Sequence, residues 1–360
     1  MHLRSSLATI SMAMLLACAG TGSGTPDPAP PAPHRVLSVS ALPKHYPNFT
    51  ATDLAEARSL ILGAGARGDF ASYGWGAALE PSPGTITVTQ VGTNAANDTA
   101  AGFTQQLIGL QVINTVVRDV PADLATTPWD TAVMRSRFKA VLDQLAPGLK
   151  GRVTYLSIGN EVDVHLASTG EWASYKVFLD DVAAYARTKW PGVKVGTTLT
   201  FGGAQAHPTE AAQLTSACDV LIFTYYPLGP GFIPQAPSRP ATDLPAMVAL
   251  AGGRPVVVQE FGYPADAVTL GSSEAAQATF ITSGLTTWAS LSATEMPFLN
   301  VFLLHDFDPG TVNTLAGFYG LPSDAGFKAY LGSLGLRQND GTPKQAWTAL
   351  VAGAAATGLP

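Results

Sequence analysis

From about residue 35 the chain alternates short apolar runs with longer stretches of helical periodicity. The apolar runs fall at 36–42, 69–75, 111–117, 153–160, 193–200, 220–226, 255–261 and 298–304. Several of them, VLIFTYY and PVVVQEF among them, are continuous and do not alternate strictly. Strands apolar on both faces belong to parallel sheets covered by helices. Between them lie ATDLAEARSLILGAG, DTAVMRSRFKAVLDQLA, GEWASYKVFLDDVAAYARTKW and SEAAQATFITSGLTTWASL, which have helical character. Ser168 and Glu171 stand at the spacing of a capping box before the third of these helices. Strand and helix alternating eight times predict a single-domain α/β protein, a (β/α)8 TIM barrel over 35–360, with an open doubly wound sheet as the alternative.

One glycine pattern is set aside. Gly63, Gly65 and Gly68 fit G-x-G-x-x-G, but they close a helical segment and lead into a strand. A dinucleotide site needs the reverse order, so these glycines read as a helix stop.

The amino terminus changes the picture of where the protein works. Arg4 precedes an apolar stretch from Leu7 to Leu16, too short for an ordinary membrane-spanning helix and suited to an export signal. It ends in Leu15, Leu16, Ala17 and Cys18, which resembles a bacterial lipobox, and a Pro/Gly-rich segment follows. The expectation is a signal peptide over 1–17, lipid modification of Cys18, a tether over 18–34, and an exported lipoprotein at the outer membrane or cell surface. Simple secretion is the second choice. Cys218 is the only other cysteine, so it is expected to be a buried, inert thiol.

Composition narrows the partners. Hydrophobic residues make up 46% and charged residues 13%, as in a compact globular chain. A net charge of -6 and the lack of any dense Lys/Arg run argue against nucleic acid. The six histidines show neither H-E-x-x-H nor a close Cys/His group, so no metal and no other cofactor is expected, and the chain is expected to be a monomer. Two sequons, at Asn48 and Asn97, carry little meaning on a bacterial lipoprotein.

The candidate chemistry lies where apolar runs end in acids. YLSIGNEVD places Asn160, Glu161 and Asp163 at the end of the fourth strand, and VVVQEFGYP places Glu260 at the end of the seventh. Polar groups there are costly unless partnered or used. In a barrel both ends open at one mouth, and two facing carboxyl groups are the minimum for cleaving a glycosidic bond.

SIGNEVD and VVQEFGYP resemble the acid/base and nucleophile motifs of the clan A retaining glycoside hydrolases. With YYP they look most like those of endo-β-1,4-galactanases, and then of β-1,3-glucanases. The resemblance implies Glu161 as acid/base, Asn160 as donor to a sugar 2-hydroxyl, and Glu260 as nucleophile. It also implies a hydrogen bond to Glu260 from Tyr225 or Tyr226, which point to opposite sides of their strand. The implied substrate is a β-linked poly- or oligosaccharide. Trp75, Arg118 and His305 are further candidates for the cleft, His305 because FLLHDFDPG offers His305, Asp306 and Phe307 where many relatives carry a tryptophan. The mechanism needs Glu260 ionised and Glu161 protonated, which burial and the neighbouring charge would favour at Glu161. A glycan-binding lipoprotein without catalysis and a cell-envelope transglycosylase are the alternatives.

Overall fold

The computed structural model describes residues 35–357. The expected signal peptide, the tether and Cys18 lie outside the described residues. Ten strands make one sheet: β1 (Val36–Val39), β2 (Gly68–Gly74), β3 (Gln105–Asn114), β4 (Val117–Arg118), β5 (Val153–Asn160), β6 (Lys194–Gly196), β7 (Thr198–Thr200), β8 (Leu221–Tyr225), β9 (Val256–Phe261) and β10 (Phe298–Val301). Their order is β6-β5-β3-β2-β1-β10-β9-β8-β7, with β4 turning back on β3 as a short hairpin. Every other pairing is parallel. β6 and β7 are halves of one strand broken at Thr197, so the order returns on itself and closes a barrel. That closure is the expected (β/α)8 architecture and excludes the open sheet.

Twelve helices accompany the described strands: α1 (Ala51–Gly63), α2 (Thr89–Ala101), α3 (Ala132–Leu149), α4 (Val162–Thr169), α5 (Trp172–Lys189), α6 (Phe201–Ala206), α7 (Pro208–Leu214), α8 (Pro240–Ala251), α9 (Glu274–Ser290), α10 (Pro309–Phe318), α11 (Ala325–Leu331) and α12 (Gln345–Ala356). α1 ends at Gly63, as the helix-stop reading requires, and β2 begins at Gly68.

Two local expectations are corrected. No capping box forms at Ser168: its hydroxyl and that of Thr169 donate to the His165 carbonyl and close α4, and α5 starts without a side-chain cap. A capping box stands at α1, where Thr50 Oγ1 accepts from the Asp53 N–H and Asp53 returns the bond to the Thr50 N–H. The third strand starts at Gln105, six residues before the apolar run that announces it. Gln106 is buried there because its amide donates to the Ala95 carbonyl and to Thr99 Oγ1.

Alternation then sorts side chains between the barrel lumen and the helix layer. Val36, Leu107, Tyr155, Ile222, Val257 and Phe298 pack together as an apolar plug inside the barrel. Leu37, Leu156, Phe223, Val256, Val258 and Leu299, one residue away on the same strands, join the larger cluster beneath the helices. Above the plug the lumen turns polar. Ser38 donates to Asn300 Oδ1 at 2.7 Å, Asn300 Nδ2 donates to Ser40 Oγ and to the Gln259 carbonyl, and Thr198 donates to Gln259 Oε1. Each of these buried groups has a partner, so this layer forms a fixed floor for whatever lies above it.

Candidate active site

Glu161 follows β5 in the left-handed backbone region (φ 47, ψ 44), a conformation that costs a non-glycine residue on the order of 1 kcal/mol or more. The turn is prepared by Gly159 at φ 90, where a Cβ would lie 2.4 Å from Val162 Cγ1 and 2.5 Å from the Tyr175 hydroxyl. Asp163 anchors the start of α4: its carboxylate accepts from the Thr200 N–H and Thr200 Oγ1, both at 2.7 Å. Burial pushes the Asp163 carboxyl up to about 6. So aimed, Glu161 accepts hydroxyl hydrogen bonds from Thr115 on Oε2 and Thr224 on Oε1, each at 2.7 Å.

Glu260 reaches the same mouth through an irregularity. Along β9, alternation sends Val256 and Val258 outward and Val257 inward, which would put Glu260 among the helices. Against β8, Phe223 is opposite Val258 but Thr224 is opposite Glu260, so Gln259 is an extra residue. This β-bulge returns Glu260 to the lumen beside Gln259, and Phe261 then faces out. Tyr226 O–H donates to Glu260 Oε2 at 2.6 Å. Gly262 leaves space for that ring, since a Cβ would stand 2.5 Å from Tyr226 Cε1.

The two glutamates are linked through few atoms. Thr224, hydrogen-bonded to Glu161, is the strand partner of Glu260, and Gln259 Nε2 donates to Asn160 Oδ1 at 2.7 Å. Asn160 Nδ2 in turn donates to Asn114 Oδ1 at 3.2 Å. Burial, reinforced by the charge of Glu161, raises the Glu260 carboxyl to about 7, against the lowering effect of its bonds from Tyr226 and Gln259. The pair therefore holds a proton near neutral pH.

Asn160, Glu161, Tyr226 and Glu260 all line one cavity of about 440 Å3. Tyr225 does not: it continues the outward set of β8, stacks on Phe261 and Phe280, and donates to Asp243 Oδ2 at 2.7 Å. The choice left open between the two tyrosines thus goes to Tyr226, which has the parity of Ile222 and Thr224.

Three other candidates stand apart from the cavity. Trp75 is fully buried, edge-on to Phe138 at 5.0 Å, with its indole N–H on Glu80. Arg118 lies over the Trp129 ring at 4.0 Å and pairs with Glu171 at 3.5 Å. His305 is buried with Nδ1 at 2.8 Å from the Leu42 carbonyl oxygen, and burial lowers its proton affinity. Asp306, next to it, pairs with Lys344 and holds the chain leading to α12. The aromatic side chains that β10 and its following segment contribute to the cavity are Phe302 and Phe307. Phe302 extends the inward parity of Phe298 and Asn300, a signal that could have been found in the sequence. Cys218 is buried and unbridged, with its thiol pushed up to about 11 by burial, as the inert reading expected. No group of three or more His, Cys, Asp or Glu residues able to hold a metal occurs among the described residues.

No protein-family profile and no curated protein matches this sequence. Similarity emerges in the fold. GH5_18 from Streptomyces cattleya, solved in complex with GlcNAc, superposes with a TM-score of 0.67 at 16% identity, over 91% of this chain and 81% of its own. The exo-β-1,4-mannosidase Op5Man5 from Opitutaceae bacterium strain TAV5 gives 0.67 at 15% identity, covering 90% of this chain and 59% of its own. A family 39 glycoside hydrolase from Bacteroides cellulosilyticus WH2 gives 0.60 at 15% identity, over 89% and 64%. None of these three is one of the galactanases or β-1,3-glucanases that the motifs resemble. At such identities the likeness is one of architecture: the chain has the barrel on which these glycoside hydrolases are built.

Proposed function

We propose that the protein is a retaining glycoside hydrolase that cleaves β-glycosidic bonds by double displacement. The observation that carries this reading is the pair itself: Glu161 and Glu260, at the ends of the fourth and seventh barrel strands, line one cavity, and the charge of Glu161 helps to raise the Glu260 carboxyl. Glu161 protonates the leaving oxygen while Glu260 attacks the anomeric carbon, and Glu161 then takes a proton from the incoming water. Tyr226 supports Glu260 as a nucleophile, because its O–H stabilises the ionised carboxylate. A glycoside oxygen hydrogen-bonded at Glu161 favours the shared proton there, which releases Glu260 for attack. Asn160, held by Gln259, keeps one amide hydrogen for a sugar hydroxyl.

The fold neighbours favour the same class of reaction. One GH5_18 variant was solved with Manb1-4GlcNAc, and Op5Man5 is named an exo-β-1,4-mannosidase. The substrates to try are galactan, β-1,3-glucan, β-1,4-mannan and xylan, and these neighbours give weight to the mannan. Product analysis on that panel tests the reading. Release of sugar that is lost in both Glu161→Gln and Glu260→Gln supports it; retained turnover in either variant, or glycan binding without turnover in the unaltered protein, overturns it. The lipobox reading places the enzyme outside the cytoplasm on a lipid attached to Cys18. Cys18→Ala should then release it from the membrane fraction or block its processing, and unchanged membrane association would refute the anchor.

A further inference from the structure

The walls of the catalytic cavity differ sharply in chemistry. Toward β1, β2, β3 and β5 they carry Ser40, Ser72, Gln111, Asn114 and Asn160, with Phe70 and Ala71 among them. The opposite wall comes from α10, α11 and the turn between them and is built mainly from Leu315, Phe318, Leu321, Phe327 and Leu331, with hydroxyls only from Thr314, Tyr319 and Tyr330. These two helices pack on Leu303, Phe307 and Leu334 as a separate apolar cluster at the barrel mouth. Leu315, Phe318 and Leu321 are only half-buried, so part of their apolar surface faces the cavity and is not used up in packing.

This wall adjoins the reacting groups. Tyr226, the donor to Glu260, meets Tyr330 edge-on at 5.4 Å, and Phe232 stacks on the same ring at 5.7 Å. On the other side, Tyr319 lines the cavity together with Thr115, whose hydroxyl bonds to Glu161, and Tyr319 packs against Phe318 at 5.1 Å and Phe327 at 5.5 Å. The apolar surface thus adjoins both glutamates, including Glu161, from which the leaving group departs. A second sugar placed along Leu315, Phe318 and Leu321 would set most of its hydroxyls against side chains that offer neither donor nor acceptor, and would lose hydration with little recompense.

Resting on the glycosidase reading above, we propose that the leaving group this site accepts is an apolar alkyl or aryl aglycone and not another sugar. The glycon lies between the two glutamates against the polar wall, and the aglycone lies along Leu315, Phe318 and Leu321.

The test is a chain-length series. Methyl, hexyl and octyl β-D-glucopyranosides and β-D-mannopyranosides are compared with the corresponding β-1,4-disaccharides. In parallel, binding of the same compounds to Glu260→Gln is measured by calorimetry. A buried methylene contributes about 0.8 kcal/mol and a tenfold change corresponds to about 1.4 kcal/mol, so kcat/KM should rise about tenfold for every two methylenes covered. Phe318→Ala and Leu321→Ala should each reduce the octyl-to-methyl ratio. Turnover in which octyl gains nothing over methyl, or in which the disaccharides are preferred, overturns the apolar aglycone and leaves the glycosidase reading standing. If none of these compounds is turned over, the glycosidase reading falls only where none of the polysaccharide panel is turned over either; in either case a calorimetric preference of octyl over methyl upholds the apolar subsite and its absence overturns it.

Discussion

Replacing Glu260 by glutamine should make the protein more stable while removing its activity. Burial and the charge of Glu161 raise the Glu260 carboxyl from an ordinary 4.5 to about 7. The folded protein therefore binds that proton more tightly than the unfolded chain between those two values, and stability falls as pH rises through the window. At about 1.4 kcal/mol per pH unit, holding Glu260 ionised above pH 7 costs on the order of 3 kcal/mol. Glutamine keeps the shape and an oxygen to accept from Tyr226, but carries no charge to desolvate or repel. For a domain of about 320 residues, an unfolding entropy of about 2.1 cal/mol/K per residue converts this into roughly 4 °C. Thermal unfolding of Glu260→Gln and the unaltered protein should be compared at pH 8 and pH 4. The gain should be present at pH 8 and absent at pH 4, where the carboxyl is protonated in both folded and unfolded chains. No gain at pH 8, or an equal gain at both, would refute the electrostatic account of the pair.

Tyr226→Phe removes a donor to a carboxylate, a bond of about 1.5–3 kcal/mol, and should lower kcat/KM roughly ten- to a hundredfold. Because that bond favours the ionised form, its loss should also move the acid limb of the pH–rate profile to higher pH; an unmoved limb would mean that Tyr226 does not act on Glu260. Gly159→Ala should destabilise the fold by at least about 2 kcal/mol, since it combines a φ of 90 with a Cβ 2.4 Å from Val162; an unshifted denaturation midpoint would show that the β5 turn is loose. Cys218 should resist alkylation in the native protein and react once it is unfolded, which mass spectrometry of labelled protein reports; rapid native labelling would contradict its burial.

The barrel was legible because its strands are continuous apolar runs, and the glutamates stood out because an acid at the end of such a run lacks a packing reason. The register was less visible. Gln105 and Gln106 hide the start of β3, since a buried amide satisfied by α2 reads as a polar linker. Nothing in VVVQEFGYP announces the bulge at Gln259, which comes from the mismatch of β9 with β8 and is what turns Glu260 inward. Strict parity, by contrast, would have selected Tyr226 over Tyr225 and found Phe302 in place of His305. Trp75 and Arg118 misled because a large side chain near a strand end suits the helix layer as well as the mouth; here Trp75 packs on Phe138 and Arg118 on Trp129. The apolar wall went unread because α10 and α11 are short and rich in glycine, and only the tertiary fold brings them over the mouth.

The most direct test of the central claim is the anomeric configuration of the first sugar released from a β-linked substrate, followed by NMR before mutarotation. Attack by Glu260 leaves no room for an intervening water, so the two carboxyl groups should act at about 5–5.5 Å, and water should enter only after a glycosyl-enzyme has formed. Two displacements restore the starting configuration, and the account predicts the β-anomer first. The α-anomer appearing first would show a single displacement by water and would remove Glu260 from the role of nucleophile.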